Sequence, residues 1–125
     1  MLVAKTRWFA RWARRERLTD SALRSAVDEM RRGLVDADLG RGLVKKRIPR
    51  TGGGKSGGFR TLLATNLHDR WVFLYGFAKS ERENIDDRQL HDLQRLARAY
   101  LSISEADAWR LIEAGVLQEA TNDQP

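Results

Sequence analysis

The sequence predicts an α+β fold: a small antiparallel β-sheet packed against helices on one face, with elements in the order β-α-α-β-β-β-α-α. Three observations carry that expectation. Apolar residues near both ends of the chain recur at helical spacing, while those between residues 43 and 77 fall in short β-branched and aromatic runs. A short polar segment between two of these runs reads as a hairpin turn. The chain has 125 residues, 42% of them hydrophobic, which is material for one core but not for two. A single domain is expected over residues 1–116, with a flexible C-terminal tail over 117–125.

The elements follow in order. Leu2 to Lys5 can form a short first strand. Trp8, Phe9, Trp12 and Ala13 then recur at i, i+1, i+4 and i+5 with Arg7, Arg11, Arg14 and Arg15 around them, a helix with one buried stripe. On this reading Trp8 and Trp12 are core residues and not a base-stacking platform. Thr19 or Asp20 can cap a second helix, whose Ala22, Leu23, Ala26, Val27 and Met30 share a face and which should stop near Gly33.

From Leu43 the period changes. Leu43 to Ile48, Phe59 to Thr65 and Trp71 to Phe77 read as strands, the last two joined through Asn66-Leu67-His68-Asp69-Arg70. Asn84, Asp86 or Asp87 can cap a further helix with Leu90, Leu93, Leu96, Ala97, Tyr100 and Leu101 as its apolar stripe. Ser104, with Asp107 three residues on, opens a final short helix that Gly115 ends. So few amphipathic helices can cover one face of a small sheet; the other should meet solvent or a partner.

Charge narrows the function classes. Lys and Arg number 23 against 17 Asp and Glu, a formal charge of +6, the footprint of an anion-binding protein. There is no Cys, which excludes disulfides, thiol catalysis and Cys-based zinc sites and fits a reducing cytoplasm. No stretch approaches the ~20 apolar residues that span a bilayer, and Met1 to Lys5 runs into Trp and Arg instead of a long apolar segment. A soluble cytoplasmic protein without membrane contact is expected.

The strongest local signal is the basic, glycine-rich passage containing Lys45, Lys46, Arg47, Arg50, Lys55 and Arg60. Its Gly54-Lys55-Ser56 triplet resembles a P-loop, but the pattern needs Gly where this chain has Pro49 and a helix where Gly57-Gly58-Phe59-Arg60 leads into a strand. What the loop offers instead is mobile backbone N–H groups beside six cations, suited to a polyanion. Along Leu43 to Ile48, alternation sends Lys45 and Arg47 to one face and Val44 and Ile48 to the other. The competing reading is a charged strand that merely keeps an exposed sheet face soluble. Lys79 and Arg82 follow the third strand at the end of the same sheet, where Glu81 and Glu83 can instead neutralise them. Tyr75 can pack inside or present its hydroxyl or ring to a nucleotide. His68 and His91 lack metal-ligand spacing, and no Ser/His/Asp arrangement is visible. Neither a metal nor a small-molecule cofactor is expected.

These residues carry a family resemblance. Val44-Lys45-Lys46-Arg47, the segment from Gly54 through Lys55 and Arg60 to Leu62, and Phe73-Leu74-Tyr75-Gly76-Phe77-Ala78-Lys79-Ser80-Glu81-Arg82 resemble the RelE-like toxins of the RelE/ParE superfamily. They look closest to a branch once regarded as a domain of unknown function. Lys5-Thr6-Arg7-Trp8-Phe9 fits that branch too, so the resemblance covers roughly residues 3 to 115. It implies a toxin of a bacterial type II toxin–antitoxin pair, a ribosome-dependent mRNA endoribonuclease that works without metal by attack of a ribose 2′-hydroxyl on the adjacent phosphate. Residue by residue, it implies catalytic roles for Lys45, Arg47, Arg60, Lys79 and Arg82, with a lysine able to act as general base if crowded cations lower its pKa. Lys46, Arg50, Lys55 and Tyr75 are expected to bind RNA. The partners implied are the ribosome, mRNA and a cognate antitoxin of the helix-turn-helix type.

Two positions depart from the family pattern. Ser80 stands where well-known RelE proteins have a catalytic arginine, and Asp86 falls about where they have a tyrosine, so the residue that protonates the leaving group stays open. HigB-type relatives manage with different residues. The alternatives are a non-catalytic toxin on the same fold, such as a ParE-like gyrase inhibitor, and a plain RNA-binding protein. ParE proteins generally lack the strand cations that this chain keeps, which favours RNA.

Overall fold

The computed structural model of the protein describes residues 1–50 and 57–121. Its elements are β1 (Leu2–Thr6), α1 (Arg7–Glu16), α2 (Asp20–Arg31), β2 (Ala37–Gly40), β3 (Leu43–Ile48), β4 (Phe59–Thr65), β5 (Arg70–Ala78), α3 (Asp87–Ser102), α4 (Glu105–Glu113) and β6 (Leu117–Glu119). The strands form one sheet in the order β2-β3-β4-β5-β1-β6, antiparallel except where β1 lies parallel to β5. The α+β class and the three central strands are as the sequence predicts.

Local chemistry fixes the ends of these elements. Thr6, Thr19, Asp86 and Ser104 are the N-caps of the four helices, each side-chain oxygen accepting an N–H of the first turn. Asp86 forms a full capping box with Gln89. In the β4–β5 turn the Asn66 side-chain oxygen Oδ1 accepts from the backbone N–H groups of His68, Asp69 and Arg70, which pins the hairpin register.

Three expectations are corrected. The sheet carries helices on both faces. α1 and α2 press Phe9, Trp12, Leu23, Val27 and Met30 onto Val44, Ile48, Phe59, Leu63 and Trp71. α3 and α4 close the second face over Leu43, Leu62, Ala64, Val72 and Leu74, with Ala97 and Ala108 fully buried. Small residues at those two helical positions let the helices approach closely, so a second layer fits on a sheet this size. β2 is the second correction: Ala37-Asp38-Leu39-Gly40 has too little apolar alternation to announce a strand, yet it pairs with β3. The third is β6. Leu117–Glu119, assigned by sequence to the tail, pair with β1, and Leu117 and Ala120 are buried.

A bulge positions the second face. Leu62 pairs with Tyr75 but Leu63 pairs with Phe73, so Leu74 is the extra residue on β5. Beyond it Tyr75 and Phe77 point to the α3 side while Gly76 faces α1, where an added Cβ would come within 2.3 Å of the Trp12 ring. Glycine is required there for Trp12 to lie flat against β5.

Candidate nucleic-acid interface

On β3 the pleat divides the cations. Val44, Lys46 and Ile48 face α1 and α2, whereas Leu43, Lys45 and Arg47 face the α3 side. Arg47 pairs directly with Arg60 on β4, and Arg60 pairs with Phe77 on β5. Residues opposite one another share a face, so two guanidinium groups stand side by side in one cross-strand row. Arg82, after β5, lays its guanidinium over the Phe77 ring at 5.4 Å and donates to the carbonyl oxygen of Asn84 (2.9 Å) and to Gln89 Oε1 (2.8 Å). The row therefore runs Arg47, Arg60, Phe77, Arg82.

The next row holds Lys45, Leu62 and Tyr75. Lys45 Nζ donates to Asn84 Oδ1 at 3.4 Å and stands at a hollow of about 250 Å³ that Leu62, Phe77, Ile85 and Leu90 make apolar. Tyr75 stacks on Trp8, with ring centroids 4.5 Å apart and planes 26° from parallel, and its hydroxyl accepts from Gln89 Nε2. The pairing of β1 with β5 stops at Phe73, and Thr6 starts α1 there, which swings Trp8 beside the stretch of β5 that pairs with β4 but no longer with β1.

Little neutralises these charges. Asp36 accepts the Arg47 backbone N–H at 2.7 Å, but its carboxylate is 4.0 Å from Arg47 Nε, and the Arg47 side chain is 65% exposed. Glu81 and Glu83 are exposed, and among the described residues neither pairs with Lys79 or Arg82. Like charges opposite one another in a sheet are destabilising. A cation row kept at that cost, with aromatic rings beside it, has the composition of a surface for a phosphodiester chain.

Other predicted site residues lie elsewhere. Lys46 is only 6% exposed and faces α2, where Nζ meets Glu29 Oε1 at 2.7 Å and the carbonyl oxygen of Leu34 at 2.9 Å; it is a structural cation. Its misassignment came from treating neighbouring cations as one patch, although β geometry sends them to opposite faces. Arg50 caps the α1 side, over the Phe59 ring at 4.8 Å and 3.6 Å from Glu16. Lys79 is exposed just past β5, its backbone N–H bonded to the carbonyl oxygen of Gly58. Lys55, with the Gly54-Lys55-Ser56 triplet, lies outside the described residues. Ser80 is exposed, and Asp86 is occupied in capping α3.

Sequence reasoning missed Trp8, Gln89 and Asn84. Trp8 shares a helical stripe with Trp12 and so reads as core, yet it is 37% exposed. Gln89 was accessible through the Asp86-to-Gln89 capping pattern. Asn84 reads from the sequence as a candidate helix cap, and nothing there places it beside Lys45.

The geometry coincides with a family match. A model described as the RelE toxin of the RelE/RelB toxin–antitoxin system matches residues 1–120. The chain belongs to the RelE family. It is thus a toxin of a toxin–antitoxin system, with a cognate antitoxin as the partner that the family implies, and the match includes β6, which closes the sheet beside β1. No curated protein and no solved structure matches this RelE-family chain. Among its described residues no helix is long and apolar enough to cross a membrane, and no group of three or more His, Asp or Glu is gathered to hold a metal ion.

Proposed function

We propose that this RelE-family toxin is a cytoplasmic endoribonuclease that cuts mRNA on the ribosome and so arrests translation. The observation that carries the reading is the Arg47–Arg60 cross-strand pair, continued by Arg82 over Phe77 and flanked by Lys45. In the reaction, a ribose 2′-oxygen attacks the adjacent phosphorus as its proton is taken up, and the bond to the 5′-oxygen breaks as that oxygen gains a proton. A 2′,3′-cyclic phosphate and a 5′-hydroxyl result. Negative charge builds on the non-bridging oxygens, and fixed guanidinium groups aimed at it lower the barrier without a cofactor. Lys45 is the group of this face suited to exchange a proton with the reacting hydroxyls, and Tyr75 with Trp8 offers rings on which a base can stack.

The antitoxin we propose is a helix-turn-helix protein with an acidic segment that covers the same cations, so that neutralisation hides the residues that touch RNA. Asp86 is committed to a helix cap and Ser80 is an exposed hydroxyl, which favours, as a second reading, a toxin that binds without cutting, such as a gyrase inhibitor. Induced expression of the wild type beside Lys45→Ala/Arg47→Ala/Arg60→Ala, with growth and new mRNA 5′ ends followed together, separates the two. Arrest with in-frame cuts, both lost in a folded variant, supports the nuclease. Arrest with intact mRNA overturns it.

A further inference from the structure

A second group of cations lies away from the strand row. The turn between β2 and β3 is the two-residue loop Arg41-Gly42, with φ of 58° and 83°. A tight hairpin turn with positive φ at both central residues takes Asn, Asp or Gly there, because a left-handed residue with a long side chain costs about 1–2 kcal/mol. An arginine at that position calls for an explanation outside the turn.

The tip is locked against α3. Gln94 Nε2 donates to the carbonyl oxygen of Leu39 at 2.7 Å, and a Cβ on Gly42 would lie 2.3 Å from Leu101. This docking brings Arg41 to a hollow of about 320 Å³ whose other walls are His91, Gln94, Arg95 and Arg98 of α3. Arg95 has an exposed ion pair with Asp92 at 3.1 Å, a pair weak enough to be redirected. Among the described residues Arg41 and Arg98 have no ion pair.

We propose that Arg41, Arg95, Arg98 and His91 form a second phosphate site that takes the backbone of RNA; the choice of RNA rests on the nuclease reading of the strand row. A phosphodiester fits better than an acidic peptide because Arg41, Arg95 and Arg98 bring three planar forks of donors to the hollow, and no hydrophobic residue lines it to anchor a peptide side chain. Arg47 lies six positions along the chain from Arg41, about 20 Å at the rise of a strand. The second site would thus hold RNA remote from the bond being cut, fixing its register across the α3 side.

The test is fluorescence anisotropy with a labelled 2′-O-methyl RNA, which lacks the attacking hydroxyl and stays intact, titrated at several salt concentrations. Arg41→Asn/Arg98→Gln keeps a residue that tolerates the left-handed turn, and a melting curve checks its fold. Losing two phosphate contacts to a single strand should reduce the slope of log affinity against log salt by about 1.4. Arg47→Gln/Arg60→Gln should do the same separately, and the two reductions should add. Wild-type affinity and slope in Arg41→Asn/Arg98→Gln would overturn the second site, whatever the strand variant does. A normal strand variant beside a weakened Arg41→Asn/Arg98→Gln would leave the second site standing and remove the strand-row reading instead. Loss of binding to a polyglutamate probe with RNA binding unchanged would also overturn the proposal, in favour of an acidic-peptide surface.

Discussion

Replacing Arg60 by Gln should make the protein more stable and less toxic at once. Arg60 stands opposite Arg47, with no carboxylate in the row between them. Two unit charges ~6 Å apart in water-like surroundings repel by about 0.7 kcal/mol, within the roughly 0.2–1 kcal/mol attributed to cross-strand pairs. Gln keeps most of the aliphatic stem and removes the charge. For a chain of this size about 0.7 kcal/mol corresponds to a rise of about 3 °C in melting temperature. Exposure of Arg47 means the repulsion is screened, so the gain should shrink towards zero near 1 M salt, where the Debye length is about 3 Å. The opposite change is expected in function, because removing one preorganised donor from a phosphoryl-transfer site costs on the order of 10²-fold in rate. Calorimetry at low and high salt, paired with inhibition of a cell-free translation reaction, reads both quantities. A variant that melts lower than wild type at both salt concentrations would show that Arg60 is held for the fold. Undiminished inhibition would remove Arg60 from the site.

Other substitutions separate the layers of the molecule. Trp8→Ala should weaken RNA binding by about 1–3 kcal/mol through lost stacking with little change in melting temperature, whereas Trp12→Ala should cost about 3–5 kcal/mol of stability; equal thermal effects would contradict this division. Lys46→Met should leave toxicity intact and change stability by no more than about 1 kcal/mol, since half-exposed Glu29 can be rehydrated, and a loss of toxicity with the fold preserved would return Lys46 to the site. Asp69, whose carboxyl is held below its usual pKa chiefly by the Asn66 amide, should stabilise the β4–β5 turn above the unfolded value of 3.8 and lose that contribution as pH falls through its lower folded pKa. Asn66→Ala should flatten that part of the acid-unfolding profile, and an unchanged profile would deny the turn this role.

The part of the fold legible in the sequence was the part with strong local periodicity. β3, β4 and α1 announce themselves because their apolar residues repeat at one spacing over several positions. β2 and β6 do not: each has three or four residues, and each is a strand only because a longer neighbour, β3 or β1, supplies the hydrogen-bonding edge. The second helical layer was hidden for a related reason. α3 shows a broad apolar stripe, yet Ala97 is its one fully buried residue, so closeness of approach and not hydrophobic mass decides that it covers the sheet.

The candidate site was legible by residue type and blurred by geometry. Alternation on β3 correctly joined Lys45 to Arg47, and the same rule, applied to Lys46, places it on the opposite face with Val44 and Ile48. A run of three cations on a strand is therefore two functions: the middle one bonds to Glu29 and Leu34 and secures the β3 edge to α2, while the outer two face the cleft beside α3. Arg82 could be listed from sequence but not aimed, because its direction depends on Phe77 beneath it and on Gln89, which also binds the Tyr75 hydroxyl. Gln89 thereby links a helix cap, an arginine and an aromatic stack, three features that lie on separate segments of the sequence. Its replacement would loosen Arg82 and Tyr75 together, which makes the N-terminus of α3 the element that holds this end of the candidate site in shape.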